Sequence, residues 1–185
     1  MIYLIIKEMQ REPSLYIITQ SLIKDMNAKE DLFRMNALRL SAAVIEPQYL
    51  IQSERYIKNV IFPRKYRMTN FYFQAIIDKV SAVSCSALLA GVHLYPSNAE
   101  FVKKWSNEIQ EKLNSRSPQT HYHALILLKE IRKQDRNSFL KVLINLCKEN
   151  ECTGVAGVQL IRYIREMIND ELDSQNEKVK EYFES

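Results

Sequence analysis

Histidines and cysteines are the side chains of this 185-residue chain that could bind a metal ion or act in catalysis. His121 and His123 are two residues apart on a predicted helix, where they face different directions and cannot readily share one ion. Cys147 and Cys152 flank a predicted helix–helix turn and lack the second ligand pair that a zinc site requires. His93 has no nucleophile or carboxylate near it in sequence, so we expect it to be packed.

The remaining motifs do not form a catalytic arrangement either. Residues 154–157, "GVAG", lack the glycine spacing, the Lys-Ser/Thr pair and the preceding strand of a phosphate-binding loop. We interpret both glycines as sites of close helix packing. Trp105 lies on an apolar stripe, which favours a core position over a partner-binding one. The sequence therefore predicts no enzyme, no metal site and no cofactor.

One stretch combines basic and aromatic side chains, as a nucleic-acid or membrane surface would require. It is residues 60–74, "VIFPRKYRMTNFYFQ", with Arg64, Lys65, Arg67, five aromatic residues and no acidic residue. These three basic residues supply most of the formal net charge of +4, so the rest of the chain has almost none. We therefore treat Arg64, Lys65 and Arg67 as a candidate partner-binding patch and expect no nucleic acid.

The composition is that of an ordinary globular protein, with 46% hydrophobic and 26% charged residues. Only 3 glycines and 5 prolines are present, which favours helices. Three cysteines are an odd count and predict reduced thiols. The opening "MIYLIIKEMQ" lacks the basic region of a signal peptide, and because it begins inside an amphipathic pattern we expect a fragment. No apolar run approaches the roughly 20 residues that cross a bilayer.

Apolar residues recur at helical spacing along most of the chain, which predicts an all-α fold. Ser97 with Glu100 forms a capping-box pattern, and Ser117 precedes a proline suited to the first helical position, Pro118. The predicted helices lie near 1–11, 13–26, 29–44, 47–59, 80–95, 98–114, 118–134, 136–149, 153–169 and 175–184.

Four helical segments share a small residue that is followed by an apolar run. The small residues are Ala37, Ala87, Ala124 and Gly157, which are 50, 37 and 33 residues apart. Helix-pair arrays of the armadillo and HEAT kind repeat about every 40 residues. Removing residues 60–74 reduces the first spacing to 35 and makes the array regular. The sequence therefore predicts an α-α superhelix, a solenoid of antiparallel helix pairs.

The repeat analysis divides the chain into a solenoid at 1–170, with an insertion at 60–74, and a C-terminal helix or tail at 171–185. We expect the insertion to form a solvent-facing loop. "RMTNFYFQ" can be back-translated into a branch-point-like ACTAAT, a pyrimidine tract and a terminal CAG. A retained intron of 45 nucleotides is therefore a hypothesis for its origin.

Longer strings of the sequence resemble, in order, the trunk of the γ-type subunits of the COPI coatomer, which are homologues of the large adaptins. The resemblance runs from about Tyr3 to Asp170. "KDMNAKED" and "VKKWSNEIQE" separate it from the clathrin adaptins. The matching strings include "IKEMQREPSLYIITQSLIKDMNAKEDLFRMNALRL", "SERYIKN", "AIIDKVSAVSCSALLAGVHL", "FVKKWSNEIQE", "HYHALILLKEIRKQDR" and "LIRYIREMI".

The resemblance implies a non-enzymatic coat scaffold without a cofactor. Members of this family hold the small ζ subunit, assemble with other coatomer subunits and engage an Arf-type GTPase in its GTP state. They act in the cytoplasm, peripherally on Golgi membranes and COPI vesicles. Two alternatives stay open, namely a large adaptin of a clathrin adaptor complex, and a helical-repeat nucleic-acid-binding scaffold that uses Arg64, Lys65 and Arg67.

Overall fold

The computed structural model describes residues 4–6, 16–44, 68–149 and 154–184, with the side chains of the last helix as far as Asp173. Every regular element within these ranges is a helix. The α-helices are α1 (Tyr16–Met26), α2 (Asp31–Val44), α3 (Met68–Ile76), α4 (Ser81–Leu94), α5 (Ala99–Lys103), α6 (Ser106–Glu111), α7 (Pro118–Ile131), α8 (Arg136–Glu149) and α9 (Gly154–Glu184), and a 3-10 turn spans Lys112–Asn114.

Four helices, α2, α4, α7 and α9, pack side by side in chain order and form an inner row. The helices between them form an outer row: α1 packs on α2, α3 on α4, and α6 with the 3-10 turn on α7. α8 contacts α9 through the rings of Phe139 and Tyr163, whose centroids are 5.8 Å apart. Each outer helix and the inner helix that follows it form one layer. This stack of helix pairs confirms the predicted α-solenoid.

The small residues of the four repeats lie on the inner helices, as their common position predicts. Ala37, Ala87 and Ala124 are completely buried. Gly157 is half-buried, and Val158 and Ile161 near it on α9 are exposed. Small side chains at these positions let the inner helices approach closely.

An aromatic cluster forms the middle of the core and contains Trp105, which is 1% exposed. Its ring centroid lies 5.4 Å from that of Tyr72 and 5.0 Å from that of Phe101. The hydroxyl groups of Tyr72 and Ser41 lie 2.7 Å apart and form a buried hydrogen bond between α3 and α2. Burial raises the pKa of Tyr72. The predicted core position of Trp105 is confirmed.

The expectation that residues 60–74 form a solvent-facing loop is wrong for residues 68–74. They belong to α3, where Phe71, Tyr72, Ala75 and Ile76 form a buried stripe. Burial of these apolar side chains removes a large apolar area from water, and this stabilises α3 against the core. Residues 60–67, including the candidate patch, lie outside the described residues, and the insertion itself stays a prediction.

The predicted helix at 98–114 is broken at Trp105 into α5, α6 and the 3-10 turn. Trp105 has φ −94° and ψ 7°, and its N–H bonds to the carbonyl of Val102 at 3.0 Å, three residues back. This departure from helical geometry accompanies the insertion of the indole ring into the core. Local apolar spacing does not reveal such a break.

The two predicted helix caps have different outcomes. The Ser117 hydroxyl accepts a hydrogen bond from the Thr120 N–H at 3.4 Å, so this cap is confirmed. The Ser97 capping box is wrong, because α5 begins one residue later and its N-cap, Asn98, makes no side-chain cap hydrogen bond.

Other boundaries of the predicted helices also differ. α9 is continuous from Gly154 to Glu184, so the predicted break between 169 and 175 is wrong. The division of the chain at residue 170 stays a prediction. The predicted helix at 47–59 and most of that at 1–11 lie outside the described residues.

Glycine is required at two positions, Gly91 and Gly154, for different structural reasons. A Cβ atom on Gly91 would lie 2.7 Å from Cδ2 of Leu127, so Gly91 permits the close approach of α4 and α7. Gly154 has φ +58°, and a Cβ atom there would meet nothing within 4 Å. Its left-handed conformation, and not the close packing predicted from the sequence, accounts for this glycine.

Tyr72→Ala should lower the free energy of unfolding by about 3–5 kcal/mol, because it removes a completely buried aromatic side chain. The neighbouring Phe73→Ala is the matched control, since Phe73 is 37% exposed on the same helix and its loss should cost far less. Urea unfolding followed by circular dichroism measures both values. Equal, small effects would show that α3 is not part of the core.

Candidate functional site

The turns at one edge of the stack are joined by an ion-pair network around Arg34. Its guanidinium donates to Oδ1 of Asp31 and to Oδ2 of Asp78, both at 2.6 Å. Asp78 lies in the turn between α3 and α4, where Oδ1 accepts from the Val80 N–H at 2.8 Å and its carbonyl accepts from Nζ of Lys112 at 3.2 Å. The hydrogen bond to Asp31, followed by the contact with Asp78, raises the pKa of Arg34. We call Asp31, Arg34, Asp78 and Lys112 the turn network; it connects three successive layers.

A second set of polar contacts connects α7 with α9. Nζ of Lys129 donates to Oε2 and Oε1 of Glu166 at 2.6 and 2.8 Å. The same Nζ lies 4.4 Å from the ring centroid of Tyr163, a cation–π distance. Partial burial raises the pKa of Tyr163. Arg136, at the start of α8, donates to the carbonyl of Met167 at 2.6 Å and lies 3.7 Å from Asp170.

These two sets of polar contacts link each layer to the next. Apolar contacts are non-directional, although close packing already restricts how two layers fit together. Ion pairs and hydrogen bonds with defined geometry, such as the two bonds of Arg34, add direction. The inner row therefore presents its exposed side chains in a fixed arrangement, which is what a partner surface requires.

The exposed side of the inner row carries both polar and apolar side chains, among them Leu32 of α2. Arg39 of α2 and His93 of α4 are exposed, and His123 of α7 is half-buried. Burial, followed by the charge of Arg39, lowers the pKa of His123. The expectation that His93 is packed is wrong, because its side chain is exposed beside the described helices. His121 is only 1% exposed, so His121 and His123 occupy different environments, as their spacing predicts.

The two described cysteines are free thiols in different surroundings. Cys85 is buried, with Sγ 3.3 Å from the Thr120 hydroxyl, whereas Cys147 is exposed on α8. Cys152 lies outside the described residues. Across residues 4–6, 16–44, 68–149 and 154–184, no three His, Cys, Asp or Glu side chains are placed to hold a metal ion. None of the helices in these ranges is both long and apolar enough to span a membrane.

One end of the stack exposes an apolar surface, as expected for the end of an array whose layers cover one another. α8 and α9 border a cavity of about 330 Å³, and α9 carries a row of exposed apolar residues beside it. The cavity is lined by Leu140, Leu143, Ile144, Cys147, Lys148 and Ile164.

Stacked helix pairs that are joined by cross-layer ion pairs define a class of protein, the α-solenoid. The family model described as "Adaptin N terminal region" matches residues 1–185, and the chain belongs to this family.

Within this family, the chain is similar to coatomer γ subunits of plants, amoebae and animals. It is 42% identical over 171 residues to coatomer subunit gamma of Arabidopsis thaliana, which covers 92% of this chain and 18% of that protein. Identity is 34% over 186 residues to coatomer subunit gamma of Dictyostelium discoideum and 36% over 186 residues to coatomer subunit gamma-2 of Xenopus tropicalis. Both matches cover the whole chain, and 19% and 20% of those proteins. The predicted resemblance is confirmed, and the chain spans about a fifth of the length of these relatives.

Asp78→Ala should lower the free energy of unfolding by about 1–3 kcal/mol, because it leaves the partly buried Arg34 with one carboxylate partner. Glu100→Ala is the matched control, since Glu100 pairs with Lys103 at the surface and its loss should cause no measurable change. Urea unfolding of both variants measures the difference. If the two variants unfold alike, the turn network does not hold the layers together.

The lowered pKa of His123 predicts a loss of stability in acid. The fold favours the neutral imidazole, so the stability is fully present above the unfolded pKa of about 6.5 and is lost as the pH falls through the folded pKa. Thermal melts between pH 7.5 and 5 should show a smaller decrease for His123→Gln than for the unmodified chain. Equal decreases for the two chains would contradict the assignment.

Proposed function

We propose that this chain is a scaffold segment of the γ subunit of the COPI vesicle coat. The observation that carries the proposal is its similarity to coatomer γ subunits, at 34–42% identity over 92–100% of the chain. The coatomer-specific strings "KDMNAKED" and "VKKWSNEIQE" favour this role over that of a clathrin adaptor subunit.

In this proposal the chain serves to hold other proteins. Its partners are the small ζ subunit, other coatomer subunits and an Arf-type GTPase in the GTP state. The cross-layer ion pairs of Arg34 and Lys129 support a scaffold role, because they hold an extended surface in one arrangement. The binding of the GTPase depends on GTP because its switch loops, which make the contact, are ordered only when GTP is bound.

The proposed setting is the cytoplasmic side of Golgi membranes and COPI vesicles, where the complex is bound peripherally. The coat would act in Golgi-to-ER and intra-Golgi transport. No catalytic step is assigned to this chain, since its role is to position partners.

Two alternative functions remain distinguishable. A large subunit of a clathrin adaptor complex is supported by the same family model, which describes adaptins in general. A nucleic-acid-binding scaffold is supported only by the basic patch Arg64, Lys65 and Arg67. Its affinity would fall steeply with salt and would vanish when these three residues are neutralised.

A pull-down tests the proposal. A complete γ subunit that contains this stretch should retain purified ζ subunit, and it should retain Arf locked in the GTP state on the order of tenfold better than Arf locked in the GDP state. If neither partner is enriched, the proposed coatomer role is wrong.

The matched variant in this experiment replaces Arg64, Lys65 and Arg67 by alanine. Retention of both partners should be unchanged, because the coat contacts are assigned to the solenoid surface. A clathrin adaptor subunit would instead retain the small subunits of its own complex and not ζ.

A further inference from the structure

Arg39 differs from the other lysine and arginine side chains on the inner helices α2, α4 and α7. Arg34, on the same helix, donates to two carboxylates, and Lys129 of α7 pairs with Glu166. Arg39 is exposed, and no carboxylate in the described parts of the chain forms an ion pair with it. Its positive charge is therefore available to a molecule outside these helices.

The space that Arg39 faces lies over α4, between the two inner helices that flank it. α2 and α7 both pack on α4, and His123 lies on α7. Burial lowers the pKa of His123, and the charge of Arg39 lowers it further. Because Coulomb interactions weaken with distance and with exposure to water, the two side chains must face a shared space. The charge of Arg39 thus acts across this space without being neutralised.

Two apolar side chains lie level with Arg39 on the neighbouring inner helices. Counted from the small residue that aligns the repeats, Arg39, Leu89 and Ile126 are each two residues further along. Leu89 and Ile126 are half-buried, whereas the residues before them, Leu88 and Leu125, are completely buried in the core. We call Arg39, Leu89 and Ile126 the inner groove. It offers one cation beside two partly exposed apolar side chains.

This combination selects among the molecules that could bind. A single cation contributes only about 1 kcal/mol to binding an anionic membrane surface, and it neutralises one phosphate of a nucleic acid. A protein segment, by contrast, can present a carboxylate beside apolar side chains. A guanidinium binds a carboxylate through two parallel hydrogen bonds, and the apolar neighbours exclude water from that pair.

We propose that the inner groove binds a segment of a partner protein in which an Asp or Glu lies beside apolar side chains. The carboxylate pairs with Arg39, and the apolar side chains contact Leu89 and Ile126. This proposal rests on the proposed scaffold role and specifies the chemistry of one contact within it. A second copy of the chain is disfavoured as the occupant, because a two-fold axis through the groove would bring two Arg39 side chains together.

The test uses the complete γ subunit in coatomer assembled from purified subunits. A photoreactive benzophenone side chain replaces Ala43, which is exposed one helical turn beyond Arg39. Illumination should join this side chain to one segment of a partner protein, which mass spectrometry identifies. We expect an Asp or Glu within about four residues of the joined residue, with apolar residues beside it.

Charge reversal makes the test specific. Arg39→Glu should lower the yield of the joined product on the order of tenfold, because two carboxylates then face each other. Reversal of the identified acidic residue to arginine in the same complex should restore the yield. Lys141→Glu is the matched control, since it makes the same change of charge at an exposed position of the outer helix α8 and should leave the yield unchanged. Neither variant should change the melting temperature, because both side chains are exposed.

Several results would overturn the proposal. They are a joined segment without an acidic residue, a yield that Arg39→Glu leaves unchanged, a product between two γ chains only, and the absence of any product. The pull-down of ζ and Arf by the unmodified subunit is a separate test. If that pull-down succeeds and charge reversal has no effect, only the inner-groove proposal is wrong. If the pull-down fails, the coat role is wrong whatever the effect of Arg39→Glu.

Discussion

None of the helix pairs that the structure describes can bury its apolar side chains by itself, and the other features of the fold follow from that constraint. An amphipathic helix offers one stripe to a partner, yet α4 is buried around almost its whole circumference, by α2, α7 and its own outer helix α3. Such a helix exists only inside a stack. Stability is therefore shared between layers through nearest-neighbour contacts, and a layer without a neighbour leaves apolar surface exposed, as α9 does.

Polar contacts between the layers supplement this apolar packing and have a different effect. The turn network spans three layers, and the Lys129–Glu166 pair spans the last two inner helices. Partly buried ion pairs of this kind contribute little net stability, because removing charges from water is costly. Their geometry is specific, however, and it adds orientation to contacts that close packing already restricts. A scaffold for several partners needs such a fixed arrangement more than it needs additional stability.

The sequence revealed the class of the fold because apolar periodicity and small inner residues are local signals. Ala37, Ala87 and Ala124 are all completely buried, and the helices around them lie within a few residues of their predicted positions. The failures concern non-local geometry. The break at Trp105 depends on where Tyr72 and Phe101 leave space, and the exposure of His93 depends on which sides of α4 its neighbours cover. The left-handed backbone of Gly154 and the burial of α3 likewise follow from the assembled stack.

Trp105 has a practical consequence for experiments on this chain. It is the single tryptophan, and it is buried at the junction of α3, α4 and the α5–α6 bend. Its fluorescence therefore reports the loosening of one layer, whereas circular dichroism averages over all helices. In a stack held by nearest-neighbour contacts, terminal layers can open before the middle. The optical signal of Trp105 would then persist while helicity already falls, and a single-probe midpoint would overstate how cooperatively the whole array unfolds.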